Sequence, residues 1–399
     1  MKYISALIIL IFLFGISLPL FARDWYFHGR VSNSIYAFES TGSTQTRIYQ
    51  SVRTSLRNQK WHNLEFNSSF RILSDLNQQL HADERYQFYL FNLKCPDLFD
   101  NRLDLQMGRL FLHPGTILGG LDGLHSTLRL ASNLSLEFYG GVESHFLRSA
   151  KIYKLEDALV AGGLFQWRNL GKNQLQIFYL QKDTKAATYW KLSGFNLESL
   201  VLPHLRGRVQ CHYDLINSRF HRVSANVRSH LSEKLTLAAN YKRQYPQIYA
   251  NSFYRIFKIS GYQQYQLSGA FNWNKRYFLN TTFQLLQVGA EHANQFILAV
   301  SNQNGNVGVI YESGYAGDQL GLMLDYAFEL VPVLLVSASI DYSRYRTETE
   351  YEFDHQIGNA LRLSYRFHSR WLLDIEYQWL RNRFTSSDSR ILSHLHFKW

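Results

Sequence analysis

Hydrophobic and polar residues alternate one for one along most of this chain. Ile48, Val52 and Leu56 fall on one phase, and Arg47, Tyr49, Ser51, Arg53 and Arg57 on the other. Leu64, Phe66, Phe70 and Ile72 oppose Glu65, Asn67, Ser69 and Arg71 in the same way. Further on, Val209, Cys211, Tyr213 and Leu215 oppose Arg208, Gln210, His212 and Asp214, and Leu361, Leu363, Tyr365 and Phe367 oppose Arg362, Ser364 and Arg366. Successive side chains of a strand point to opposite faces, so a period of two with one apolar and one charged face predicts strands, and helical spacing accounts for none of these windows.

The segments between the strands differ in length by parity. Compact connections include Asn58-Gln59-Lys60, Ser132-Asn133, Ser232-Glu233-Lys234, Trp273-Asn274-Lys275, Gln303 to Asn306 and His368-Ser369-Arg370, most of them rich in turn-forming Asn, Ser, Pro or Gly. The connections between them are longer on average: Ser74 to Asp83, His113 to Asp122, Ser144 to Asp157, Pro246 to Gly261 and Thr347 to His355, with Ile216 to Arg219 a short exception. A sheet closed on itself across a membrane, with short periplasmic turns and long extracellular loops, has this rhythm. The expectation is an all-β, transmembrane antiparallel barrel of about 22 strands, or about 18 to 20 if two weak strands merge with loops. A soluble sandwich or propeller is the competing architecture; only six prolines and an apolar face on nearly every strand weigh against it.

The last strand sharpens this. Ile391, Ser393, Leu395, Phe397 and the final Trp399 share one face, and Leu392, His394, His396 and Lys398 share the other. Here the chain resembles the porin-like superfamily of bacterial outer-membrane β-barrels, whose closing strand ends in an aromatic. The resemblance implies that Phe397 and Trp399 serve as a signal to the barrel-assembly machinery. At the other end, Met1-Lys2-Tyr3 precedes an apolar run from Ile4 to Phe21, and Ala22 offers a small residue before Arg23-Asp24. Residues 1–22 are therefore expected to be a signal peptide and 23–399 the barrel, in the outer membrane of a Gram-negative-type bacterium; a retained anchor is the alternative for the apolar run.

Composition fits a wall between lipid and water. Aromatic residues make up 16% of the chain and charged residues only 18%, below the usual quarter. Aromatic girdles and a polar lumen lead to both values. The formal charge is +11, which turns attention to anions. Cys95 and Cys211 lie far apart in candidate strands and are read as unpaired.

With one face on lipid, function is sought in the lumen and outer loops. The phasing makes Arg30, Arg47, Arg53, Arg57, Arg362, Arg366, His394 and His396 pore-lining candidates, with Arg30 and Arg53 near mid-strand as the constriction. Pairing with neighbouring carboxylates is the bland alternative for these arginines. The segment Gly108 to Gly123 carries unusual apolar and glycine content for an outer loop, so His113, Gly115, Gly119, Gly120 and Asp122 are expected on a loop that folds inward or onto the rim. It lacks the Gly-Lys-Ser/Thr of a phosphate loop. His81 with Asp75, Asp83 and Glu84, and His113 with Asp122 and His125, are the only clusters that suggest catalysis or a metal, and solvation or rim hydrogen bonding accounts for each.

The expected activity is passive diffusion of small hydrophilic solutes, leaning towards anions, with no catalytic residues, no metal and no cofactor. A non-conducting scaffold or adhesion barrel acting through its outer loops is the second reading, and a lipid-modifying enzyme the third. Expected partners are outer-membrane lipids, lipopolysaccharide, the assembly machinery and the solute, with no nucleic acid; a homo-oligomer is left open.

Overall fold

The computed structural model describes residues 24–399 apart from 41–42, 62, 113–118, 171, 186, 247–259, 316, 349–350 and 386. Twenty-two strands form one sheet. They are β1 (Trp25–Ser40), β2 (Ser43–Asn58), β3 (Leu64–Asp75), β4 (Tyr86–Asp97), β5 (Leu103–Leu112), β6 (Gly119–Ala131), β7 (Leu134–Glu143) and β8 (Leu159–Leu170). Then follow β9 (Asn173–Asp183), β10 (Thr188–Leu202), β11 (Leu205–Asp214), β12 (Arg219–His230), β13 (Leu235–Gln244), β14 (Tyr262–Asn272) and β15 (Phe278–Val288). The last are β16 (Glu291–Ser301), β17 (Gly305–Gly314), β18 (Asp318–Val331), β19 (Leu334–Arg346), β20 (Asp354–His368), β21 (Trp371–Arg381) and β22 (Asp388–Lys398).

Each strand pairs antiparallel with its sequence neighbours, and β22 pairs back onto β1 from Arg30↔Lys398 to Phe38↔Arg390. The sheet is thus a closed barrel with no free edge, which removes the unpaired backbone groups that could not be satisfied in hydrocarbon. Of the alternatives left by the sequence, the even count of twenty-two is realised.

The two faces separate as the alternation predicts. Phe283, Phe296, Leu322, Leu324 and Tyr377 stand exposed on the outside. The alternate positions of the same strands carry amides and carboxylates that bond across the ladder, such as Gln264 to Gln284 at 2.9 Å and Gln295 to Glu312 at 3.0 Å. An apolar outer face around a polar interior inverts the arrangement of a soluble sandwich, whose inner faces form the dry core.

The compact connections are built by side chains that accept from the backbone two and three residues on. Asn58 Oδ1 takes the N–H groups of Lys60 and Trp61, Asn274 Oδ1 those of Arg276 and Tyr277, and Asn302 Oδ1 those of Asn304 and Gly305. This is why Asn recurs at the ends of even-numbered strands. The tight turn expected over Gln303 to Asn306 falls one residue earlier, since β17 begins at Gly305 and Asn306 pairs with Ser301.

At the closing seam, aromatic side chains gather on the outer face near the short-turn end. Trp371 lies 4.5 Å from Phe397, Phe397 5.6 Å from Trp399, and Trp399 5.7 Å from Phe27, by ring centroids. The backbones of Gly29 and Trp399 exchange hydrogen bonds of 3.2 and 3.3 Å. The indole lies flat over Gly29, where any Cβ would sit 2.0 Å from a ring carbon. The terminal residue is therefore a structural part of the seam.

Candidate pore lining

On the inner face, Arg30 of β1 has Arg53 of β2 and Lys398 of β22 as its Cα partners. Three cations thus stand side by side on one ladder row. Neither the Arg30 nor the Arg53 side chain makes a hydrogen bond or an ion pair among the described residues. Like charges directly opposite across a strand pair repel, so water or a mobile anion must balance them.

The next rows pair hydroxyls with imidazoles. Ser32 Oγ shares a 2.7 Å hydrogen bond with His396 Nδ1, and Ser34 Oγ one of 2.7 Å with His394 Nδ1. The two imidazoles stack with centroids 6.1 Å apart and planes 5° from parallel. Both histidines therefore share one face with Ser32 and Ser34.

Arg47, Arg57 and Arg362 are tied to local partners. Arg47 Nε donates to Asp75 at 3.1 Å, and Arg57 Nη2 to Asn63 Oδ1 at 3.1 Å. Arg362 Nη2 lies 3.2 Å from Asp374, a carboxylate only 4% exposed that also accepts from Ser364 Oγ at 2.5 Å and lies 3.8 Å from His396 Nε2. The bland reading therefore holds for Arg47 and Arg362. Arg366 is exposed beyond the irregularity between Tyr365 and His368, at the short-turn rim. Close to these groups, Asp325, Ser337, Ser339, Arg362 and Glu376 line a cleft of about 270 Å³.

The segment after Gly108 departs from expectation. Gly119, Gly120 and Asp122 do not lie on an inward loop: they belong to β6, paired with Leu112, Phe111 and Arg109 of β5. Backbone pairing has overridden the turn chemistry of the glycines. His113 and Gly115 lie outside the described residues. Asp122 is engaged by Arg109, at 2.6 Å from Nε and 2.7 Å from Nη2, and both side chains are 7% exposed. Asp75 is likewise occupied, accepting from Arg47 and from the backbone N–H of Asn77 and Gln78. Among the described residues no three His, Cys, Asp or Glu side chains converge to hold a metal.

One feature of the interior has no precursor in the alternation pattern. From β5 to β10 the inner face is filled with apolar side chains: Leu110, Leu121, Tyr139, Val160, Leu180 and Leu192 form a buried cluster with Trp190 packed against it. Tyr139 lies over Gly162 and donates to the Tyr179 carbonyl at 3.1 Å, and Phe178 lies over Gly194 against the edge of His212. Beside the cluster, Lys182 Nζ pairs with Glu143 at 2.5 Å and sits 4.5 Å from the Trp190 ring. One side of the lumen is a packed wall, and the charged rows occupy the other.

A closed, even-stranded antiparallel sheet with lipid-compatible residues outside and charges inside settles the architecture. The chain is a closed transmembrane β-barrel. No protein-family model matches it, and no curated protein matches it by sequence. Solved structures similar to it include OccAB4 of Acinetobacter baumannii, at 9% identity over 96% of this chain and 99% of that one, with a TM-score of 0.45. OpdL of Pseudomonas aeruginosa is similar at 12% identity over 94% and 99%, with a TM-score of 0.47. A BenF-like porin from Pseudomonas fluorescens Pf-5 is similar at 9% identity over 95% and 99%, with a TM-score of 0.49.

Proposed function

We propose that the barrel is a porin-like channel through which small hydrophilic solutes, anions ahead of cations, diffuse down their gradients. The observation that carries this reading is the row Lys398–Arg30–Arg53, three adjacent cations on the inner wall with no carboxylate among the described residues paired to Arg30 or Arg53. Such a row attracts anions, and a wet lumen lowers the cost of crossing without chemistry. The acids Asp325, Asp374 and Glu376 on nearby strands temper the preference and limit it to a lean.

The packed arc from β5 to β10 narrows the lumen and favours, as a second reading, a non-conducting barrel that acts through its outer loops. An enzymatic role has less support, because Asp122 and Asp75 are each committed to an arginine. In this reading the outer face meets membrane lipid and lipopolysaccharide, and Phe397 and Trp399 present the assembly signal. The test is a planar-bilayer record with a reversal potential under a salt gradient. A reversal potential of anion sign supports the channel, and a folded, inserted barrel without conductance supports the scaffold.

A further inference from the structure

The seam between β4 and β5 is built differently from the rest of the wall. Its ladder runs only from Cys95↔Leu105 to Phe91↔Arg109, the shortest in the sheet. Towards the long-loop end, β4 continues to Tyr86 paired with β3 alone, and β5 continues to Leu112 paired with β6 alone. The strands part just beyond Gly108, whose φ of +114° and whose Cβ position, 2.3 Å from the Phe91 carbonyl oxygen, admit only glycine.

The segment that follows β7 fills the opening. Its Arg148 carbonyl accepts from Phe88 N of β4 at 2.6 Å, and its Ser144 N donates to Gly120 O of β6 at 3.0 Å. Between them Arg109 reaches across the gap: Nη1 donates to Ser149 O at 2.5 Å and to Phe88 O at 3.3 Å, and Nη2 to Lys151 O at 3.1 Å. A single guanidinium thus satisfies carbonyls that elsewhere in the barrel are satisfied by a ladder.

This arrangement can open where a ladder cannot. Asp122, the partner of Arg109, lies on β6 and stays with it, so withdrawal of the segment leaves no buried charge alone. What is given up is a few hydrogen bonds to carbonyls that water or headgroups can replace. Parting any other seam would expose a row of paired backbone groups to hydrocarbon, which cannot satisfy them.

The two sides of the gap differ in chemistry. On the outer face stands Phe91, in edge contact with Phe66, and the segment itself carries the exposed Phe146. Inside, the Arg148 guanidinium lies 4.4 Å from the Tyr89 ring, with Arg71 5.1 Å from the same ring and its Nε lacking a hydrogen-bond partner. An apolar outer face at Phe91 and cations stacked on aromatics inside match a molecule with an apolar tail and an anionic head. We infer that the β4–β5 seam is a lateral portal, latched by residues 144–151, through which a single-chain anionic amphiphile passes between the lumen and the outer leaflet.

The experiment is a reversible lock. Phe88→Cys with Arg148→Cys, in a Cys95→Ser, Cys211→Ser background, places two thiols across an existing backbone hydrogen bond, and dithiothreitol releases the bridge. The barrel is reconstituted in phosphatidylcholine vesicles, and movement of a fluorescent dodecyl sulfonate between leaflets is followed by back-extraction with external albumin, alongside chloride conductance. Wild-type barrels should move the probe at least tenfold faster than protein-free vesicles; the reduced double variant, which has lost the Arg148 cation, should fall below wild type yet stay at least threefold above its oxidised form, which should lie within twofold of protein-free vesicles, with conductance the same in both redox states. Arg109→Lys, which keeps the ion pair and serves fewer carbonyls, should move the probe at least threefold faster than wild type. The portal is rejected if the oxidised barrel moves the probe as fast as the reduced one, if wild type is no faster than protein-free vesicles, or if Arg109→Lys slows the probe. It is equally rejected if conductance falls in step with probe movement, which would place passage in the lumen, or if the thiols of the folded barrel do not cross-link.

Discussion

Reversing the two free arginines tests the selectivity of the lumen directly. Arg30→Glu with Arg53→Glu changes the Lys398–Arg30–Arg53 row from three positive charges to a net single negative one. For an ion about 8 Å from the row in water, each charge contributes about 0.5 kcal/mol unscreened and about 0.2 kcal/mol at 0.1 M salt. The native row then separates anions from cations by about 1.3 kcal/mol, roughly a tenfold permeability ratio, and the double variant prefers cations by roughly twofold. At 1 M salt the screening length falls to about 3 Å and the native preference shrinks to about 1.5-fold or less. Reversal potentials across a planar bilayer under tenfold potassium chloride gradients measure the ratio, and heat-modifiability on gels confirms insertion. Because the acids of neighbouring strands are common to both proteins, they cancel in the comparison. A conducting double variant whose ratio stays within twofold of the wild type would refute the assignment of these arginines as the filter.

Other consequences concern the seam, the orientation and the buried carboxylate. Gly29→Val drives a side chain into the Trp399 indole, and the overpacking should cost about 1–3 kcal/mol, read as a lower urea midpoint in micelles, whereas Gly207→Val, where a new Cβ meets only the tip of Val201, should move it less. In the cysteine-free background, Glu156→Cys on the loop helix α1 (Leu155–Ala158) should react with an impermeant thiol reagent on intact cells, and Lys275→Cys in the β14–β15 turn should not; equal labelling contradicts the assignment of outer and inner ends. Asp374→Ala removes the acceptor for Ser364 and the partner of Arg362; because Arg362 is about half exposed and can rehydrate, the expected loss is about 1–2 kcal/mol, less than for a wholly buried pair, and an unchanged urea midpoint would show that the contact contributes nothing.

Strand number, closure and facing were readable from the chain because lipid imposes one rule on every strand: alternate side chains must be apolar. The same rule put Arg30, Arg53, His394 and His396 on one phase, and the register between β22, β1 and β2 sets Arg30 beside Arg53 and Lys398. Local pairing could not be read in that way. Whether an inward arginine stands free, as Arg53 does, or finds an acid, as Arg362 does, depends on strand registers that alternation alone does not fix.

The packed inner arc shows where alternation loses its information. Leu180 and Leu192 are apolar on the face assumed to be wet, while Ile177 and Phe195 are apolar on the outer face, so neither face of β9 or β10 stands out by polarity. The glycines of β5 and β6 misled for the opposite reason, since turn chemistry is a local signal and they serve a non-local end. A usable signal was nonetheless present. Folding residues 103 to 128 back on themselves about their midpoint sets Arg109 against Asp122, Leu110 against Leu121 and Gly108 against Gly123, which is the observed register. Opposite charges that meet only in a hairpin, inside an otherwise apolar segment, are more economically explained by a paired wall than by a solvated loop. What that pairing could not disclose is the third participant. The carbonyls of Ser149 and Lys151 carry no sequence signature, so the latch that Arg109 holds emerges only when the backbone of the loop is in place.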